Sequence, residues 1–241
     1  MSPTVLVVGA NRGLGLQFAL QYLKKGFNVC GTFRKESADE ARELLESGAK
    51  TFNLDLADET SIFKASASFG DQPLDLLINC AADGPGPRKC FDNTTEEFMH
   101  KFRVSAVGPF LVTKAFHSQI KKSESPFVVN ITSSMGFLTD NKTGGDISYR
   151  TSKAALNMIT VDLARELAPG NISCVAMSPG WVKTKMSGFT GHMEAPEAVE
   201  RMIKVIDGLK PGTDTATSYH RDGQRLPWTV DAQTRTFPSD V

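Results

Sequence analysis

Apolar residues fall along this chain in short blocks, and their spacing changes from block to block. Positions 4–8, Thr-Val-Leu-Val-Val, are mostly apolar and mostly β-branched. A run like that predicts a strand buried on both faces. Gly9 to Gly15 is rich in glycine, and 16–25 returns to helical spacing, closed by Gly26 as a C-cap. The same alternation continues. Strands are predicted over 28–33, 50–54, 74–79, 127–132 and 172–178. Helices are predicted over 37–47, 59–69, 95–119, 148–167 and 197–209, the longest bent near Gly108-Pro109. Arg221 to Trp228 reads as a turn followed by a short edge strand.

Strand and helix alternate from the start, so the sheet is expected to be parallel and covered on both faces. The fold class is α/β: a single Rossmann-type doubly wound parallel sheet of about seven strands, with helices on both faces. No linker or internal repeat divides the chain. One domain is expected over 1–228, and the polar, aperiodic stretch 229–241 reads as a tail.

Charge removes several function classes. Lys+Arg and Asp+Glu both number 27 in 241 residues, so the formal net charge is zero and the cations are dispersed. Nucleic acid or an anionic membrane as partner would need a basic face. No apolar run approaches bilayer length, and no leader pattern precedes 4–8, so a cytoplasmic protein is expected. Cys30, Cys80, Cys90 and Cys174 form no CxxC pair and read as reduced, mostly buried thiols. His100, His117, His192 and His220 lack ligand spacing, so no metal is expected.

Chemistry enters at the strand ends, where open parallel sheets bind ligands. Gly9-Ala-Asn-Arg-Gly-Leu-Gly15 follows the first strand and opens the first helix. Gly9 allows a tight turn, Gly13 lets backbone approach a pyrophosphate, and Gly15 lets helix pack on strand. The helix N-terminus offers N–H groups to phosphate. After the second strand comes Phe33-Arg34-Lys35, with no acidic residue for a ribose 2′-hydroxyl. Arg34, with Arg12 in the turn, instead suits a 2′-phosphate. NADP(H) is therefore the expected cofactor. Asp55 closes the third strand, and would either accept from the adenine amino group or cap the following turn.

Tyr149-Arg-Thr-Ser-Lys153 is the sharpest signal. Residues four apart share one helix face. A lysine beside a tyrosine favours phenolate and lowers the phenol pKa, which suits proton exchange with a carbonyl or alcohol oxygen. Lys153 would also hold the nicotinamide ribose. Ser133, after the fifth strand, can hold the substrate oxygen beside Tyr149, with Ser134 as the neighbouring alternative.

On these motifs the chain resembles the short-chain dehydrogenase/reductase superfamily, and within it the C-factor-like and sniffer-like carbonyl reductases. The motifs span Val5 to Trp228. The resemblance implies Ser133, Tyr149 and Lys153 as catalytic residues. It implies cofactor contacts from Gly9, Asn11, Arg12, Gly13, Leu14 and Gly15, then Arg34, Asp55 and Leu56. Asn79-Cys-Ala-Ala82 stands where the family has Asn-Asn-Ala-Gly, which adds Asn79, Cys80 and Ala81. Ile131, Pro179, Gly180, Val182 and Thr184 complete the set, with Val182 backbone and the Thr184 hydroxyl near the carboxamide. Asp222-Gly-Gln-Arg-Leu-Pro-Trp228 and the long loop between Ser133 and Tyr149 resemble the sniffer-like group.

Three departures stand out. Val8 replaces the family's Thr before the first glycine, losing a hydrogen bond near the turn. Cys80 and Ala82 alter the floor under the adenosine side. Ser105 in Ser105-Ala-Val-Gly-Pro109 replaces an Asn that, by the resemblance, bends the helix and holds a relay water for the lysine. Ser105 has shorter reach, so proton delivery is expected to slow or reroute.

The segment 185–196, with Met186, Gly188, Phe189, Gly191 and Met193, reads as a substrate lid, and 83–87 as the opposite wall. An apolar ketone, aldehyde or quinone, or the matching alcohol, is expected as substrate. Two other classes stay open: a dinucleotide-binding sensor with little turnover, and a non-redox enzyme using the cofactor as scaffold. Superfamily members range from monomers to tetramers. A homodimer or homotetramer would use the long helix and the Tyr149 helix.

Overall fold

The structure, a computed structural model, describes residues 2–228; the predicted tail lies outside them. The first strand, β1 (Thr4–Val8), is buried at every residue, as its unbroken apolar run requires. It leads through the glycine turn into α1 (Gly13–Lys24). The chain continues through β2 (Asn28–Phe33), α2 (Arg42–Glu46), β3 (Lys50–Asn53), α3 (Glu59–Phe69) and β4 (Leu76–Asn79). Then follow α4 (Thr95–Phe102), α5 (Gly108–Ala115), α6 (His117–Ile120), β5 (Phe127–Ile131) and α7 (Ile147–Glu166). The last part holds β6 (Ser173–Ser178), β7 (Val182–Lys183), β8 (Met193–Glu194), α8 (Ala195–Asp207), β9 (Thr217–His220) and β10 (Arg225–Leu226).

Eight strands form one sheet in the order β10-β9-β6-β5-β4-β1-β2-β3, parallel except for the antiparallel edge strand β10. Alternate side chains feed two cores. Val5 and Val7 face Phe18, Tyr22, Met202 and Ile203, from α1 and α8. Leu6 and Val8 face Ile62, Phe69, Val112 and Leu163, from α3, α5 and α7, and Phe116 at the end of α5. Burying each such side chain stabilises by about 1.5–3 kcal/mol. The strand order reverses between β1 and β4, so the connections leave to opposite sides there and open a crevice at the strand carboxyl ends.

Helix starts follow from local chemistry. Asp58 accepts from Thr60 N at 2.9 Å ahead of α3, and Thr94 accepts from Glu97 N at 3.2 Å ahead of α4. The helix expected over 37–47 is instead a 3₁₀ segment, Lys35–Ala41, followed by short α2. Ser37 leaves helical geometry at φ −106°, ψ 18°. The long helix expected over 95–119 is interrupted by a π-helical turn at Arg103–Val107, where Gly108 N–H reaches back to Arg103 O. Pro109 has no N–H to continue the ladder, which fits the expected bend. β9 was not expected, because Thr-Ser-Tyr-His is polar in composition. It pairs parallel with β6 nonetheless, and Ser218 and Tyr219 are buried.

Candidate active site

A cleft of about 630 Å³ runs along the carboxyl ends of the strands. Its middle is the glycine turn. A Cβ at Gly9, where φ is +81°, would lie 2.6 Å from Ala81 Cβ, and a Cβ at Gly15 would overlap the Gly9 carbonyl oxygen. These two positions need glycine for packing. A Cβ at Gly13 (φ +57°) would lie 3.6 Å from Thr184 Cγ2, an ordinary contact, so here the left-handed backbone is what calls for glycine. No side chain caps the N-terminus of α1, so its first N–H groups point at the cleft ready for an anion. The hydrogen bond that Val8 cannot offer the turn comes from β2: Gly9 N–H donates to Thr32 Oγ1 at 3.1 Å.

Asn11, Arg12, Leu14, Arg34, Asp55 and Leu56 all line one end of the cleft. Asp55 Oδ1 accepts from Ala57 N at 2.9 Å, so the turn-capping alternative describes this oxygen. Glu40 stands among the cations, 3.1 Å from Arg12 Nε and 2.7 Å from Lys185 Nζ. The Lys185 hydrogen bond, with Arg12 and Arg34 nearby, holds its carboxyl below the usual range.

Tyr149 and Lys153 are buried on the first two turns of α7 and reach the other end of the cleft, with Cys80, Ala81 and Ile131 beside them. Lys153 Nζ donates to Ile131 O at 2.8 Å and lies 5.8 Å from the Tyr149 ring centroid. Burial lowers the lysine to about 8. Burial likewise pushes the Tyr149 phenol up to about 12, and the Ser133 side chain draws it partly back. The lowering of the phenol expected from Lys153 does not appear: burial dominates, Asp146 adds to it, and Ser133 alone opposes it. Cys80 is pushed up to about 12 by burial, so it stays a neutral thiol.

Ser133 sits just past β5 and caps a single 3₁₀ turn, its Oγ accepting from Met135 N at 3.2 Å. That turn ends at Gly136, pressed against the backbone of Lys153. Ser134 is exposed. Asn79 lies off the cleft wall: its Nδ2 donates to Asn130 Oδ1 at 2.8 Å, and Asn130 Nδ2 donates to Thr160 Oγ1 at 2.9 Å. Its place in the sheet makes it a tie between β4, β5 and α7. Pro179 and Thr184 line the cleft, whereas Gly180 and Val182 stand behind it. Ser105 is fully buried in the π-helical turn, and its Oγ accepts from Asp83 N at 3.2 Å. The π-helical turn forms without an Asn.

That bond fixes the 83–87 wall. Buried Lys101 adds to it, 3.0 Å from Asp83 Oδ2 and 3.1 Å from Glu97 Oε1, and donating to Gly84 O at 2.5 Å. Met186 and Phe189 of the expected lid line the same end, with Met186 Cγ beside Gly84.

The model of the short chain dehydrogenase family matches residues 3–195. The chain belongs to that family. It is 35% identical over 156 residues to the C-signal protein of Myxococcus xanthus, covering 65% of this chain and 93% of that one. NADPH-bound carbonyl reductase from chicken fatty liver has a similar structure, with a TM-score of 0.88 and 31% identity over 94% of this chain and 99% of that one. The carbonyl reductase Sniffer of D. melanogaster follows at 0.86 and 29%, over 95% and 100%. This short-chain dehydrogenase is accordingly an NAD(P)-dependent oxidoreductase by family.

Within the family frame, three cleft residues escaped the sequence reading, Thr32, Glu40 and His100, as did Lys101 and Gly136 beside the cleft. Gly136 alone left a local signal, standing three residues after Ser133. Among the described residues, no His, Cys, Asp and Glu cluster could hold a metal, and no helix is long and apolar enough to cross a membrane.

Proposed function

We propose that this short-chain dehydrogenase is an NADP(H)-dependent carbonyl reductase, acting on a small, largely apolar ketone, aldehyde or quinone, or in reverse on the alcohol. The observation that carries the reading is one cleft lined both by Tyr149 and Lys153, on the helix after β5, and by Arg12 and Arg34, after β1 and β2 across the strand-order reversal. The residues fit a dinucleotide. Gly13, Leu14 and Gly15 line the cleft at the uncapped N-terminus of α1, which suits a pyrophosphate. Arg34 and Arg12 suit a 2′-phosphate. Lys153 lies where it can reach a ribose hydroxyl.

The bound cofactor would supply the hydride. The chain supplies the proton and the orientation. Burial holds Tyr149 as a phenol, with its pKa at about 12, so it rests as an acid ready to donate. Ser133, which draws that pKa down, can donate to the same substrate oxygen and keep it beside the phenol. Lys153 favours the phenolate left behind. A resting phenol suits reduction better than oxidation, and cells usually keep NADP(H) reduced. Met186 and Phe189 offer apolar surface along the cleft. NADPH oxidation against a panel of ketones, aldehydes and quinones tests the reading. Turnover supports it, and tight NADPH binding with no oxidation across the panel favours the sensor class.

A further inference from the structure

Glu40 is the one carboxylate among the cations at the Arg34 end of the cleft that touches two of them. Its Oε1 is 2.7 Å from Lys185 Nζ. Its Oε2 is 3.1 Å from Arg12 Nε and accepts from Asn11 Nδ2 at 3.4 Å. Arg12 belongs to the glycine turn and Lys185 to the segment after β7, so Glu40 ties that turn to a lysine 145 positions beyond Glu40 itself. Arg34, by contrast, carries no ion pair among the described residues. Of the three cations Arg12, Arg34 and Lys185, two are thus already engaged by one carboxylate, which offsets a single positive charge.

Building on the NADP(H) reading, we propose that Glu40 is a specificity-determining residue that holds the place of the cofactor's 2′-phosphate and weakens the preference for NADP(H) over NAD(H). A phosphate monoester brings about two negative charges. It can take Arg34 directly, but it gains Arg12 and Lys185 only by displacing the Glu40 carboxylate, and it then sits beside that displaced charge. The neutral 2′-hydroxyl of NAD(H) meets no such opposition, and a carboxylate can accept its hydrogen bond. Glu40 therefore penalises one dinucleotide and tolerates or assists the other. The segment beginning at Lys185 is tethered by the same carboxylate, so exchange of Glu40 for phosphate also frees the start of the lid.

The test is equilibrium binding of NADPH and of NADH, followed by nicotinamide fluorescence, without any substrate. Glu40→Gln keeps the shape and removes the charge. Glu46→Gln is the control, because Glu46 pairs only with exposed Arg42, 2.8 Å away, and does not line the cleft. Glu40→Gln is expected to tighten NADPH about three- to tenfold while moving NADH less than about twofold. Glu46→Gln should move neither. Equal tightening of both cofactors, or NADPH binding unchanged or weakened by Glu40→Gln, overturns the inference and leaves the NADP(H) reading standing. A parent protein that binds neither dinucleotide overturns both.

Discussion

Gly136 lies so close to Lys153 that a Cβ on it would stand 2.8 Å from the lysine's carbonyl carbon and 2.9 Å from its Cβ. The turn that carries Ser133 is thereby seated on the helix that carries Tyr149 and Lys153. One hydrogen side chain sets the spacing of the catalytic groups. Gly136→Ala should push the turn outward by a fraction of an ångström. Displacements of that size at reacting groups cost up to about 100-fold in rate. The expected result is a fall in kcat of about 10- to 100-fold with NADPH affinity within about twofold of the parent. A variant with parental kcat would show that the seating does not matter.

Ser105 invites a different variant. Its hydroxyl holds Asp83 N–H, and Asp83 in turn meets Lys101. Ser105→Ala orphans that N–H, at a cost of about 1–3 kcal/mol, and loosens the wall facing Met186. KM for a carbonyl substrate should rise by about threefold to tenfold while kcat stays within about twofold. Collapse of kcat at unchanged KM would instead place Ser105 in proton delivery.

Lys153 links the site to stability. Burial lowers its pKa from an ordinary 10.5 to about 8, so between those values the unfolded chain binds more protons than the folded one. Stability contributed by this group therefore rises with pH from about 8 to 10.5, and the burial penalty is fully felt below 8. The gain is on the order of 1–3 kcal/mol. Urea unfolding of cofactor-free protein at pH values on either side of that window, compared with Lys153→Met, isolates the effect. The parent should gain on the variant as pH rises, and parallel curves would contradict the assignment.

Much of this architecture could be read from local pattern. The buried strands announce themselves as apolar runs, and Gly9, Gly13 and Gly15 mark a turn whose backbone needs are strictly local. Tyr149 and Lys153 fall four apart on a helix, so their pairing needed no tertiary information. The rest depends on contacts distant in sequence. Thr217 to His220 looks like a loop until β6 supplies its partner strand. Glu40 reads as a surface charge on a helix, because Lys185 is remote along the chain. The phenol's upward shift was missed for a related reason. Proximity of Lys153 is legible in sequence, whereas the depth of burial that raises the phenol is not. Asn79 was expected at the cofactor and stands in the sheet, because Asn130 and Thr160 are there to receive it.

The account rests on Tyr149 as the proton donor, and its replacement by phenylalanine is the direct test. NADPH oxidation would be followed at the nicotinamide absorbance with the best carbonyl substrate of the panel, beside a binding titration of NADPH. The account predicts a fall in kcat of about 10²- to 10⁴-fold in Tyr149→Phe, with NADPH affinity within about twofold of the parent. Parental turnover by Tyr149→Phe would contradict it and require another acid at the cleft.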